Sequence, residues 1–203
     1  MALGLNLGGD GGSIVPHIKY DARAGRLFRV DREDGVSDSV DITTGFKAIF
    51  DLANVEVGYM LFAAGQAPDF HMAPLGQPVP AKPTPEHKQG VRFLMKLGKD
   101  SGGDVREISA NSNAFLGAVN ALHNDYEAGV KDNPGKLPVV ILSSVDTIKS
   151  QKSTNYAPVF KITSWVDRPA ELPSASSVPV RAAPPSTGSS KVSAPVASED
   201  DFG

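Results

Sequence analysis

Cysteine is absent from the chain. Disulfides and thiolate metal sites are thereby excluded, and a cytoplasmic setting is the natural expectation. Long apolar runs are absent too: none approaches the roughly 20 residues that cross a bilayer, and the N-terminus lacks a basic-then-apolar signal pattern. No membrane association is expected. Aromatics are few, 7% of residues with a single Trp, so each ring either builds the core or serves a purpose at the surface.

Signatures of catalysis are missing as well. The four histidines, His17, His71, His87 and His123, lie far apart in sequence, and none forms the i,i+4 pair of a zinc helix. The Gly8–Gly12 run lacks the downstream Lys-Ser/Thr of a phosphate loop. Around Gly35 a calcium loop fails, because its first ligand would be Val30. No Ser sits in a nucleophile elbow. The expectation is a protein that is not an enzyme, with no cofactor and no metal.

An overall basic excess is also lacking. The formal net charge is −3, which at first argues against nucleic acid. Position along the chain changes that. Residues 14–32 carry five basic and two acidic side chains, 82–99 five and one, and 147–168 four and one. The intervening 33–81 and 100–146 carry seven acids each, against one and three bases. Such segregation is expected when one face is basic and the remainder acidic.

What is present divides into three parts. Residues 1–13 read as a flexible Gly-rich arm. Residues 14–168 are long enough for one domain with a real core. Residues 169–203 contain 20 Pro, Ser or Ala in 35 positions; they bury too little to offset chain entropy and are expected to be disordered. This tail ends in Glu199, Asp200, Asp201 and Phe202, a tip suited to a basic, partly apolar pocket on a partner.

The body reads mainly as strands. Ile14, Pro16, Ile18 and Tyr20 alternate with Val15, His17 and Lys19, and Pro16 suggests an edge position. Residues 26–32 return as a hairpin strand, and 46–52 and 55–63 are further apolar runs. The six prolines of 65–89 argue for a long loop without a sustained ladder. Val91, Phe93, Met95 and Leu97 mark a half-buried strand, and another lies near 105–110. Phe115, Val119, Leu122 and Tyr126 recur at helical spacing behind Asn111 or Ser112 as cap, and the helix stops near Gly129. Strands at about 137–145 and 156–166 close the body. One helix between the third and fourth of these barrel strands predicts an oligonucleotide-binding (OB)-like Greek-key barrel, with a β-sandwich as the alternative.

Rings and cations interleave in three places. Tyr20, Arg26, Phe28, Arg29 and Arg32 do so in the first hairpin, and Arg92, Phe93 and Lys96 in the middle strand, where Phe93 is the ring expected in the core. Lys149, Lys152, Tyr156, Lys161 and Trp165 do so in the closing pair. Strict alternation puts Lys161, Thr163 and Trp165 on one side of the last strand. Flat rings for bases and mobile cations for phosphates suffice for single-stranded nucleic acid. All of these except Phe93 are the candidate contacts.

The segments Ile14–Arg26 and Asn155–Val166 resemble the two ends of the body in a bacteriophage single-stranded-DNA-binding protein family. The resemblance extends to the tail plan. It implies an OB fold without cofactor, cooperative coating of exposed strands, and recruitment of replication or recombination proteins through the acidic tip. In well-known members that tip ends on an aromatic residue, whereas here Gly203 follows Phe202. The rival expectation is a structural or adaptor β-domain, such as a virion component, that never touches DNA. Homo-oligomerisation and RNA-versus-DNA preference stay open.

Overall fold

A computed structural model describes residues 16–33, 36–149 and 154–173. The arm at 1–13 and the acidic tip, Glu199 to Phe202, lie outside the described residues, as does Lys152. The architecture is mainly β. Strands β1 (His17–Asp21), β2 (Arg26–Glu33), β3 (Val36–Asp41), β4 (Lys47–Phe50), β5 (Glu56–Leu61), β6 (Asp69–Pro74), β7 (Lys88–Leu97) and β8 (Val105–Ala110) precede helix α1 (Asn113–Gly129), and β9 (Lys136–Lys149) and β10 (Thr154–Asp167) follow it.

All ten strands join one open mixed sheet in the order β10-β9-β4-β7-β8-β1-β2-β3, with the β5–β6 hairpin branching from β7. Among the described residues, every strand pairing is antiparallel except β1 with β8. The sheet curls so that distant strands meet. The Tyr156 amide donates to the Ala22 carbonyl at 2.7 Å, and the Tyr20 hydroxyl donates to the Tyr156 carbonyl at 2.8 Å. These two bonds link β10 to the β1–β2 hairpin across the concave side.

That concave side holds the core. Ile18, Leu27, Ala48, Phe50, Phe93, Met95, Ile108, Val140 and Phe160 face inward, and α1 covers them with Phe115, Val119, Leu122 and Tyr126. The helical face is the one its spacing predicts. Ser112 rather than Asn111 is the cap, its Oγ accepting from the Phe115 amide at 3.4 Å. Phe50 and Phe160 meet edge to face at 5.5 Å, an arrangement suited to the ring quadrupoles.

Three strand expectations are corrected. Residues 69–74 form β6 inside the proline-rich stretch: Pro68 precedes the strand and Pro74 ends it, so neither interrupts the ladder. β3 carries only Val36 and Val40 among Ser and Asp, too weak an apolar signal to read as a strand, and is held by its pairing with β2. β1 is not an edge strand, since it lies between β8 and β2; Pro16 stands just before it and uses only its carbonyl, which accepts from the Glu107 amide at 2.9 Å.

Residues 169–173 pack against the body instead of joining the tail. Leu172 is buried, Glu171 pairs with Lys96, and Arg168 reaches Asp51 Oδ1 and Oδ2 at 2.7 and 2.8 Å. Composition overlooked Leu172 and Glu171. Among the described residues, no helix is long and apolar enough to cross a membrane.

Candidate nucleic-acid interface

The face of the sheet away from the core can be followed strand by strand from the pairings. Lys161 on β10 stands opposite Ile141 on β9, which stands opposite Lys47 on β4. Ile49 on β4 faces Lys96 on β7; Leu94 faces Glu107 on β8, and Glu107 faces His17 on β1. His17 faces Val30, Lys19 faces Phe28, and Phe28 faces Asp41 on β3. Side chains two apart share a face, so Arg26 and Arg32 join Phe28 and Arg92 joins Leu94. Side chains from all three basic segments meet on this surface.

Several of these cations are already paired. Arg26 pairs with Asp41, and Lys96 with Glu171. Arg92 donates from Nε to Glu56 at 2.6 Å, and its guanidinium lies 5.0 Å from the Phe70 ring centre. Lys19, Arg32, Lys47 and Lys161 are exposed and form no ion pair among the described residues. Phe28 is half-buried between Lys19 and Asp41.

The remaining candidates lie elsewhere. Arg29 points to the opposite face, where it contacts Asp31 at 2.9 Å and donates to the Ser101 carbonyl at 3.2 Å. Buried Arg106 joins it there, reaching Asp31, Asp104 and the Val30 carbonyl. Burial raises the Asp31 carboxyl, but the hydrogen bond and charge of Arg106, aided by Arg29, outweigh it and hold the group below its usual 3.8. Tyr20 packs on Phe115 with ring centres 5.5 Å apart. Its burial, with Asp21 adjacent, pushes the phenol up to about 12, so it acts as a neutral hydrogen-bond donor. Lys149 is exposed at the end of β9, two pairings from Tyr156, which is half-buried.

Strict alternation misplaces Trp165. The β9–β10 register shifts between Ile162 and Ser164, leaving Thr163 as an extra residue whose hydroxyl donates to the Val139 carbonyl at 3.2 Å. A bulge of this kind reverses the facing of all that follows it. Trp165 therefore joins Phe160 and Ile162 on the core side and stacks on Tyr126, ring centres 5.6 Å apart and planes 28° apart. Its exposed edge still lines a shallow depression with Lys161, Ile162, Asp125 and Gly129.

Sequence separation also concealed a histidine cluster. His71 and His87, expected to be apart, converge on the Asp69 carboxylate. The available signal was Asp69 and His71 at strand spacing, but it lay in a stretch read as loop. No protein-family model, curated protein or solved structure matches the chain.

Proposed function

We propose that the protein binds single-stranded DNA without regard to sequence, through the sheet face opposite α1. One observation carries the reading: Lys19, Arg32, Lys47 and Lys161, which form no ion pair among the described residues, share that face with Phe28 and Ile141. Cations spaced along a curved sheet suit a phosphate backbone, and rings and apolar side chains between them suit bases. An OB-like reading accords with this use: β4, β7, β8, β9 and β10 would be the five barrel strands, with α1 between the third and fourth. In this reading β5–β6 is an insertion and β1–β3 an extension of the sheet beyond β8. Coating of strands exposed in replication or recombination is the role proposed, with Glu199, Asp200, Asp201 and Phe202 recruiting partner proteins.

The adaptor reading draws support from a different observation. Arg26, Arg29, Arg92 and Lys96 are engaged by carboxylates or carbonyls of the body itself, and DNA would have to displace those partners.

Titration with oligo-dT at two salt concentrations tests the proposal. Affinity should fall with salt with a log–log slope of about 0.7 per phosphate neutralised, and duplex of equal length should bind much more weakly. Reversing Lys19, Lys47 and Lys161 together to Glu should abolish binding while leaving the fold intact by circular dichroism. Equal affinity for duplex would overturn the single-strand reading, unchanged affinity of the triple variant would overturn the assigned face, and no affinity for oligo-dT would favour the adaptor.

A further inference from the structure

Asp69, His71 and His87 bring three ligand atoms together from one strand and the end of a loop. Asp69 and His71 are two apart on β6 and so share a face, opposite Leu61 and Tyr59 of β5. His87 immediately precedes β7, whose Lys88 pairs with Met60 of the same β5. Asp69 and His87 thus approach from the two sides of Leu61. Gly58 permits the close crossing of β6 over β5, since a Cβ there would lie 2.1 Å from the His71 carbonyl oxygen.

The ligand atoms lie within 4.8 Å of one another. His71 Nε2 is 3.2 Å from Asp69 Oδ1, and His87 Nε2 is 3.1 Å from Asp69 Oδ2. A tetrahedral ion with bonds of about 2.05 Å separates its ligands by about 3.3 Å, which both histidine–aspartate distances already match; any excess separation of the two histidine nitrogens would have to close around the ion. His87 is 2% exposed, and its other ring nitrogen is 2.9 Å from Thr84 Oγ1. With an ion bound, Nδ1–H would donate to that hydroxyl, fixing the ring orientation and leaving the Nε2 lone pair for the metal.

We propose that these three residues form a binding site for a divalent transition ion, zinc by its ligand set of two imidazoles and one carboxylate, with solvent as fourth ligand. The ion would tie β6 to the start of β7 and so close the proline-rich connection between them. Among the described residues, few backbone hydrogen bonds hold that connection: Leu75 donates to the Val55 carbonyl, Gln77 to Pro74 and His87 to Thr84. The site is independent of the DNA-binding face.

Isothermal titration of the untagged full chain with zinc chloride tests the proposal, alongside thermal unfolding and Co²⁺ absorption. Wild type should bind one equivalent, gain thermal stability on binding, and give the intense visible bands of four-coordinate Co²⁺. His71→Ala, at the less buried histidine, and Asp69→Asn should abolish all three effects, and His123→Ala should keep them. Thr84→Val should weaken affinity about 10–100-fold. Circular dichroism verifies that each variant is folded; should His71→Ala not fold, Asp69→Asn carries the comparison. Absence of saturable zinc binding by the wild type, or binding undiminished in folded Asp69→Asn, overturns the proposal.

Discussion

One face of the Trp165 indole lies on Tyr126 and the ring is half-buried. Trp165→Ala should cost about 3 kcal/mol, the lower end for buried aromatics because part of the ring is already wet; urea denaturation measures it. Gly129 fits beneath the same ring, where a Cβ would lie 2.5 Å from Trp165 Cζ2. Gly129→Ala should therefore destabilise by about 1–3 kcal/mol through overpacking, although Ala is the better helix former. A Gly129→Ala protein as stable as wild type would show that the ring swings aside freely. The rings of this protein were easy to find in sequence but hard to assign. Phe93 falls in the core as its alternation says, whereas one bulged residue at Thr163 turns Trp165 to the opposite side.

At the scale of elements, α1 was the most legible feature, because four apolar residues at helical spacing have no competing interpretation. Its Ser112 cap is long, 3.4 Å to the Phe115 amide. Ser112→Ala should thus cost about 0.5–1 kcal/mol, toward the low end for N-caps, by thermal or chemical unfolding. Strand pairing was less legible. β3 has only Val36 and Val40 to reveal it, and β6 lay hidden among prolines that stand at its boundaries. The β2–β8 junction predicts an acid response. Arg106 and Arg29 hold the Asp31 carboxyl below 3.8 in the folded state. The unfolded chain therefore takes up that proton first as pH falls. The stabilisation is complete above the unfolded value and is lost as pH drops through the folded one. Denaturation profiles at about pH 5 and about pH 2.5 should differ, and Asp31→Asn should narrow the difference.

Across the whole molecule, Arg168 links the end of the last strand to the middle of the sheet. Asp51 is fully buried, and its carboxylate accepts from Arg168 and, at 2.8 Å, from Asn54. Removing the cation leaves a buried charge uncompensated, so Arg168→Ala should cost about 3–5 kcal/mol. The double variant Arg168→Met with Asp51→Leu should recover much of that loss, since it removes both charges and fills the space. A loss under about 1 kcal/mol for Arg168→Ala would mean that Asp51 has another partner or water in reach. The pair also shows why the body extends to Pro173: this ion pair and the burial of Leu172 hold residues that composition alone assigns to the tail.

The sequence by itself determined the class of the molecule, mainly β with one amphipathic helix, and the division of its charge into basic and acidic blocks. Both are local properties: side-chain period and residue type act over a few positions. Tertiary structure decided which cations are available and which are already neutralised, because Arg26 meets Asp41, Arg92 meets Glu56 and Lys96 meets Glu171 only after strands pair. It also decided that His71 and His87 stand beside Asp69. Contacts between residues far apart in sequence depend on register and strand order, and a single bulge or a proline at a strand end changes both.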